Sequence, residues 1–286
     1  MAPKAGPCGE EWEWDVRRAD TDTNVGPGQA ARFAGVAIRG HHRWMPETPA
    51  ETTPFTGFEP GALQFLADLA ANNDRAWFKP RKAEFERLLK EPLEALCVAL
   101  ADRLDELRLP LEADPKRSPF RIYRDVRFSK DKSPYKTGIG ADFPWIDSKG
   151  DDLRPRGAVG GYFHLEPGNI FVGGGMWHPE RARLAAFREK LDRDPSAVLR
   201  AIEDKRFRSV FGSVTGDTLT RNPKGFPKDH PYGQLLRLKD VIFSRPLSDK
   251  EVFSAELPDI IARDLDAARP VLLFLDKLAG PRPQEL

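Results

Sequence analysis

The stretch AVGGYFHLEPGNIFVGGGMW at 158–177 constrains the fold more than any other part of the chain. It contains two runs rich in aromatic and β-branched residues, with Pro167-Gly168-Asn169 between them. Such runs favour strands, and a short Pro/Gly/Asn segment between two of them favours a hairpin. The run TGIGADFPWI at 137–146 has the same character. These three runs predict a mostly antiparallel sheet.

Apolar residues recur at helical spacing in the part of the chain that precedes these strands. The pattern at 63–69 predicts a first helix, and a second periodic stretch follows from 72 to 107. Pro92 lies inside that second stretch, and proline is tolerated in a first helical turn but not in a helix interior. We therefore expect Pro92 to divide the stretch into two helices.

The last third of the chain mixes helical and strand patterns. Helices are predicted at 179–191 and 196–203, and a strand at 239–246. Ser248 and Glu251 match a capping box, and the periodic run 257–278 is expected to kink or split at Pro270. This order of elements, with helices first, then strands and then a mixture of both, is typical of the α+β class rather than of alternating βαβ units. We predict a single α+β domain with N-terminal helices, a mostly antiparallel sheet and C-terminal helices.

The domain is expected to occupy residues 55–279, between a leader at 1–54 and a tail at 280–286. The leader mixes Pro, Gly, Thr and charged residues without a sustained period, which is typical of a segment that cannot bury enough apolar surface to order itself. We expect it to be disordered. Met45 begins a short segment, MPETPAETTPFTGF, that stands directly before the first periodic segment, so it is a candidate for the true start of the protein.

Composition limits the classes of function. Forty-five Lys and Arg residues face 44 Asp and Glu residues, so attraction to nucleic acid or to an anionic membrane has to be local. No run of about 18 apolar residues predicts a membrane span, and residues 1–30 lack a secretory signal. Cys8 and Cys97 lie far apart, and no histidine pair has metal-ligand spacing, so we expect no metal and no cofactor. A cytoplasmic location fits this composition.

The stretch RIYRDVRFSKDKSPYK at 121–136 is the main candidate for a site. It places six cations among two carboxylates, those of Asp125 and Asp131. A planar guanidinium donates paired hydrogen bonds to a carboxylate or phosphate, and a lysine adds a compact charge. Aromatic rings between the cations are suited to stacking on a base or a sugar. The predicted ligand-binding residues of this stretch are Arg121, Arg124, Arg127, Lys132 and Tyr135.

The same stretch resembles a widespread bacterial family of conserved hypothetical proteins whose pattern is R-x-x-R-D-x-R-F-x-x-[DN]-K-x-x-Y. The chain fills this pattern from Arg121 to Tyr135 without departure. Four further segments resemble the family: FTGF at 55–58, NNDRAWF at 72–78, GGGMWHP at 173–179 and NPKGFPKDHP at 222–231. The resemblance implies one domain over about 55–279, and it implies no activity, cofactor or catalytic residue.

A second basic cluster lies at 221–239 and has five cations and one acid, Asp229. If the fold brings it beside the first cluster, the two form a cationic cleft to which Lys224 and Lys228 contribute. The candidates for proton transfer are His230 and Asp125, although the cations around Asp125 favour its ionised form and a role in orienting arginines. The three glycines at 173–175 suit either close packing or contact with a ligand.

Three functions are consistent with these residues. The first is the binding of an anionic small molecule, phosphorylated or nucleotide-like, in a cationic cleft, with or without catalysis. The second is a non-enzymatic interaction protein in which the same arginines, lysines and aspartates form an internal ion-pair network. The third is nucleic-acid binding, which the near-zero net charge disfavours. A pocket predicts cations that converge on a concavity, whereas a structural network predicts cations with partners. The sequence leaves the oligomeric state open.

Overall fold

A computed structural model describes residues 54–127, 130–146 and 159–278. The expectations for Met45, for most of the leader and for the tail at 280–286 concern residues outside these ranges. The helices in the first range are α1 (Pro60–Ala71), α2 (Arg75–Phe78), a 3₁₀ turn (Lys79–Arg81), α3 (Lys82–Phe85), a π-helical turn (Glu86–Lys90) and α4 (Glu91–Glu106). Those in the last range are α5 (Arg181–Arg193), α6 (Pro195–Ile202), α7 (Lys205–Phe211), α8 (Gly233–Leu236), α9 (Asp249–Val252), α10 (Leu257–Ala267) and α11 (Arg269–Lys277).

Four antiparallel strands form the sheet, in the order in which they occur in the chain. They are β1 (Ile139–Pro144), β2 (Val159–Glu166), β3 (Asn169–Met176) and β4 (Val241–Pro246). The predicted hairpin is present, because Glu166 pairs with Asn169 and Gly168 supplies a positive φ of 76° in the turn. Helices at both ends of the described chain and this antiparallel sheet confirm the α+β class.

Irregular segments cover both edges of the sheet. Along β1, the N–H of Glu112 donates to the carbonyl of Pro144 at 2.9 Å, and the N–H of Phe120 donates to that of Gly140 at 2.9 Å. Along β4, Thr215 and Ile242 exchange both of their backbone hydrogen bonds. Covered edges do not present open backbone groups to other chains. The segment beside β1 leads directly into the motif at 121–136.

The core lies between one face of the sheet and the helices. Alternate residues of β2 point into it, among them the fully buried Phe163 and Leu165. The Phe163 ring stacks on that of Phe58 at 5.9 Å, and Gly161 leaves room for Leu265 of α10. The other residues of β2, namely Tyr162, His164 and Glu166, therefore project from the opposite face of the sheet.

Pro92 does not divide its helical stretch as we expected. The backbone stays helical through Lys90 and Glu91, and a π-helical turn at 86–90 directly precedes the proline. A wider turn of this kind accommodates a residue that has no N–H to donate. The interruption lies at Arg81 instead, where φ is −100° and ψ is 7°.

The predictions for the C-terminal part are confirmed. Ser248 and Glu251 form a capping box at the start of α9. The periodic run splits into α10 and α11 at Ala268, two residues before Pro270, so that the proline lies in the first turn of the second helix. None of the helices in the described ranges is both long enough and apolar enough to cross a lipid bilayer.

Candidate functional site

Residues 121–127 and 130–136 form the two limbs of an irregular hairpin beside β1, and we call 121–136 the cationic hairpin; Phe128 and Ser129 lie outside the described residues. Its two limbs pair at Tyr123 and Tyr135. The N–H of Arg124 donates to the carbonyl of Pro134 at 3.0 Å, and the N–H of Lys136 donates to that of Ile122 at 2.8 Å. These backbone bonds hold the cations of both limbs on one local scaffold.

Tyr135 anchors this scaffold to the N-terminal helices. Its side chain is only 4% exposed, and its ring stacks on Phe78 with 4.2 Å between centroids. The side chain of Asn73 donates to the carbonyl of Tyr135 and accepts from its N–H, both at 3.0 Å. Tyr135 therefore has a structural role, whereas Tyr123 on the other limb is 50% exposed. The segment 72–78, which also resembles the family, therefore supplies Asn73 and Phe78, and both contact Tyr135 of the cationic hairpin.

Two of the three arginines of the cationic hairpin, Arg124 and Arg127, have carboxylate partners within it. Arg124 pairs with Asp131. The guanidinium of Arg127 donates to both oxygens of Asp125, at 3.0 Å from Nε to each and 2.5 Å from Nη2 to Oδ2. Asp125 also accepts from the N–H of Arg127 at 3.1 Å, so it orients that side chain. The side chain of Arg127 is nonetheless 62% exposed.

The lysines add charge that these two carboxylates do not balance. The Lys132 ammonium donates to the carbonyl of Val126 at 2.7 Å, which is a neutral partner. Lys130 is exposed, and the Lys136 ammonium lies 5.2 Å from the centre of the Phe120 ring. Arg121 is exposed as well. With six cations and two carboxylates, the cationic hairpin keeps a formal charge of +4.

Asp131 is strongly biased towards its ionised form. Hydrogen bonds from the hydroxyl and the N–H of Ser133, and then one from Arg124, hold the pKa of Asp131 far below its usual value. This carboxylate stays charged at any ordinary pH, and it serves as a partner for a cation rather than as a proton donor.

The second basic cluster does not join the first. Its residues follow the segment that pairs with β4, while the cationic hairpin lies beside β1. Three strand spacings, about 14 Å in all, separate those two strands. Lys224 and Lys228 are exposed on a loop that is closed by Asn222, whose side chain donates to the carbonyl of Pro227 at 2.6 Å. The two clusters are therefore attached to opposite edges of the sheet.

His230 is held by its neighbours on both ring nitrogens. Its Nδ1 accepts from the N–H of Tyr232 at 3.1 Å, and this places the ring proton on Nε2, which lies 3.2 Å from Asp192 Oδ1. These two contacts hold the His230 ring between its own loop and Asp192 of α5. His178 is exposed, and its backbone N–H donates to the buried Asp240 at 2.8 Å.

The glycines of GGGMWHP are explained by close packing. A Cβ at Gly173 would lie 2.3 Å from the carbonyl oxygen of Phe243, and one at Gly175, where φ is +116°, would lie 2.2 Å from that of Val241. Both distances are far inside van der Waals contact, so β3 needs glycine to lie against β4. This favours the packing interpretation over contact with a ligand.

The sequence reasoning missed a polar row on the face of β2 opposite to Phe163 and Leu165. The Tyr162 hydroxyl lies 3.0 Å from His164 Nδ1, and His164 Nε2 lies 3.3 Å from Glu166 Oε2. Thr137, the residue after the cationic hairpin, donates to Glu166 Oε1 at 2.5 Å. The signal was present as Tyr-x-His-x-Glu, since alternate residues of a strand share a face. We call Tyr162, His164 and Glu166 the polar row.

Burial and hydrogen bonding set the protonation of the polar row. Burial, and then the negative charges of Asp142 and Glu166, raise the pKa of Tyr162, so its hydroxyl keeps its proton. Burial opposes ionisation of Glu166, but hydrogen bonds from His164 and Thr137 outweigh it and hold the pKa of Glu166 below its usual value. A protonated phenol at one end and a carboxylate at the other fix the direction of donation from Tyr162 through His164 to Glu166.

A comparison with protein families assigns the chain. Residues 61–274 match the model of the conserved hypothetical protein family DUF2461. The chain belongs to this family. The match spans both the cationic hairpin and the polar row, so both are parts of the family domain, and it begins after the predicted leader. Among curated proteins and among solved structures, nothing matches the chain.

Two further features of the DUF2461 domain bear on ligands. A cavity of about 210 Å³ lies between α1 and the helical turns at 77–88, where Arg81 stacks on Trp77 at 4.5 Å and Arg87 pairs with Glu59 at 3.1 Å. None of the residues that line it belongs to the cationic hairpin. Within the described ranges, no group of three or more His, Cys, Asp or Glu residues is arranged to hold a metal ion.

Proposed function

We propose that the protein binds an anionic ligand, phosphorylated or nucleotide-like, on the cationic hairpin. The observation that carries the proposal is the formal charge of +4 on a scaffold that Asn73, Phe78 and Tyr135 hold in place. Side chains oriented before binding lose less conformational freedom when a ligand arrives. The Lys132 ammonium donates to a neutral carbonyl and Lys130 is exposed, so the charge of these two lysines is available to an anion.

The exposed ring of Tyr123 extends the proposal from simple anions to nucleotides. It is half exposed and lies beside the paired limbs of the hairpin, 5.4 Å from the Tyr135 ring. A base or a sugar stacking on it would place an attached phosphate near the arginines. In this proposal Lys224, Lys228 and His230 take no part in the site, and a cytoplasmic location is retained.

The pairing within the hairpin supports a second candidate, an interaction protein in which the same residues are structural. Arg124 with Asp131 and Arg127 with Asp125 already satisfy much of each other's charge. Exposed pairs of this kind contribute about 0–1 kcal/mol each, so they stabilise the local hairpin rather than the whole fold. The two candidates differ in whether an added anion stabilises the protein.

A thermal-shift experiment on the full chain separates them. The probes are inorganic phosphate, pyrophosphate, adenosine monophosphate, citrate and a short single-stranded oligonucleotide. A ligand that binds only the folded protein stabilises it by about 2.7 kcal/mol at roughly 100 times its Kd. We expect pyrophosphate or adenosine monophosphate to raise the midpoint of the wild type, and Lys132→Ala and Arg124→Ala to lose this shift while keeping their own midpoints close to that of the wild type.

The double variant Lys224→Ala/Lys228→Ala is the matched control, because it removes two exposed cations from the opposite edge of the sheet. It should respond to the probes like the wild type. A wild type that no probe stabilises would refute anion binding and leave the structural candidate. Stabilisation by the oligonucleotide alone, with a steep salt dependence, would indicate nucleic-acid binding instead.

A further inference from the structure

The cavity beside α1 is an open space between two helical walls. Gly61, Phe65 and Asp68 line it from α1, at spacings of four and three positions that place them on one side of that helix. Arg81 and Glu84 line it from the opposite wall, three positions apart. Both walls therefore direct a charged residue and its helical neighbours towards the same space.

The floor of the cavity is apolar. Phe65 and Leu88 both line it and are each only 4% exposed, and the Phe65 ring lies 5.6 Å from that of Trp77. The volume of about 210 Å³ is smaller than the roughly 300–1,000 Å³ of sites that hold drug-sized ligands. A ligand of this cavity is therefore small, and part of it is an apolar chain.

Arg81 is held in position without a carboxylate partner. Its guanidinium carbon lies 4.5 Å from the centre of the Trp77 ring, and its Nη1 donates to the carbonyl of Trp77 at 3.0 Å. Within the described residues it forms no ion pair. The remaining N–H groups lie in the plane of the guanidinium, which is the direction from which a carboxylate accepts paired hydrogen bonds. An arginine oriented before binding loses little freedom when such a ligand arrives.

Two carboxylates of the cavity have no cationic partner in the part of the chain that the structure describes. Asp68 accepts from the neutral side chain of Gln64 at 2.8 Å, and Glu84 forms no hydrogen bond or ion pair there. The third carboxylate that lines the cavity, that of Glu59, pairs with Arg87 at 3.1 Å. Three carboxylates and two guanidiniums line the cavity, so its formal charge is −1.

We propose that this cavity binds a free diamino carboxylic acid of the lysine or ornithine type. The ligand's carboxylate pairs with Arg81, and its two ammonium groups pair with Asp68 and Glu84. Its methylene chain lies on Phe65 and Leu88. Such a ligand carries one net positive charge and balances the cavity, whereas a monoamino acid leaves the negative charge and a diamine leaves a positive one.

This inference goes beyond the anionic ligand of the cationic hairpin and does not depend on it, because none of the lining residues belongs to that hairpin. The test is isothermal titration calorimetry on the full chain with four probes of related chain length. L-lysine has all three charged groups, L-norleucine lacks the side-chain ammonium, 6-aminohexanoate lacks the α-ammonium, and cadaverine lacks the carboxylate.

We expect lysine to bind about tenfold or more tightly than each of the other three probes, because each of these lacks one charge-assisted hydrogen bond. Equal affinity for lysine and any one of them would overturn the proposal, since the group that this probe lacks would then have no partner in the cavity.

The carboxylate subsite has its own variant. Arg81→Gln should weaken lysine binding by about tenfold or more and should not weaken cadaverine, which has no carboxylate. Arg75→Gln is the matched control, because Arg75 is an exposed arginine of the same helical stretch and does not line the cavity. It should bind lysine like the wild type.

The ammonium subsites are tested with isosteric variants. Asp68→Asn and Glu84→Gln keep the shape of the side chain and remove its charge, and each should lose the preference for one ammonium group. One variant should then bind lysine no better than norleucine, and the other no better than 6-aminohexanoate. No binding of lysine to the wild type at millimolar concentration would overturn the proposal. So would lysine binding that Arg81→Gln, Asp68→Asn and Glu84→Gln all leave unchanged.

Discussion

Two arginine–carboxylate networks in this protein differ chiefly in burial. Arg245 of β4 donates to Asp264 of α10 at 2.8 Å from Nε and to Glu251 of α9 at 3.0 Å from Nη1, so one side chain links a strand to two helices. The side chains of Arg245 and Asp264 are 23% and 8% exposed. The pairs of the cationic hairpin join residues two and seven positions apart. Each has one member that is more than half exposed, Arg127 at 62% and Asp131 at 55%, although Asp125 is only 13% exposed.

The comparison shows that an arginine–carboxylate pair has a different role when it is buried than when it is exposed to solvent. A carboxylate buried beside Arg245 depends chiefly on that cation, since little of the carboxylate is exposed to water. An exposed pair is solvated whether or not it forms, so its arginine remains accessible to a competing anion. Burial, rather than pairing alone, distinguishes a structural arginine from one that is suited to a ligand.

Breaking the buried network should have the largest effect on stability. Arg245→Ala removes the cation from Asp264 and is expected to lower the free energy of unfolding by about 3–5 kcal/mol. The measurement is urea unfolding followed by circular dichroism. Arg124→Ala is the matched control, with an expected loss of about 0–1 kcal/mol that shrinks in high salt. Equal losses in the two variants would contradict the contrast between the networks.

The aromatic anchor should matter more to the cationic hairpin than its ion pairs do. Tyr135→Ala removes a buried ring from its stack on Phe78, and we expect the free energy of unfolding to fall by about 3 kcal/mol. Tyr123→Ala, on the opposite limb, removes an exposed ring and should cost about 0.5 kcal/mol or less. The same unfolding experiment compares them. A large loss in Tyr123→Ala would mean that the limbs support each other through that ring.

The smallest effect concerns the acid titration of Asp131. The pKa of Asp131 is lowered in the folded protein. Its ionised form therefore stabilises the hairpin at pH values above the usual aspartate pKa. This contribution is lost as the pH falls through the folded-state pKa of Asp131. Ser133→Ala removes the largest cause, the hydroxyl bond, and should raise the pKa of Asp131 towards its usual value. The carboxyl carbon shift in an NMR titration measures it. An unchanged pKa would show that the backbone N–H of residue 133 and Arg124 hold the carboxylate ionised without the hydroxyl.

Much of the fold followed from local patterns. The hairpin at Pro167-Gly168, the capping box at Ser248 and the helix division near Pro270 each depend on the chemistry of a few neighbouring residues, and each was predicted correctly. The prediction that Pro92 divides the helical stretch was wrong, because a π-helical turn directly before it accommodates a residue without an N–H donor and the helix continues. That outcome depends on the helix packing around it as well as on the proline.

The candidate site was only partly accessible to sequence reasoning. The charge and the family pattern of 121–136 marked the cationic hairpin, but the bonds between Asn73 and Tyr135 join residues 62 positions apart, and no local pattern predicts them. The two basic clusters were similar in composition, yet the strand order places them at opposite edges of the sheet. The charge of a segment does not show how far that segment lies from another one in the folded protein.

The sequence by itself determined the α+β class, the antiparallel strands, the family and the local charge of the motif, because these depend on residue type, short-range periodicity and short-range spacing. Only the tertiary structure decided which cations have partners, which ring anchors the hairpin, and that Tyr162, His164 and Glu166 meet across one face of β2 with Thr137 from the neighbouring segment. Those outcomes depend on burial and on contacts between distant residues, and both arise only when the sheet and the helices pack together.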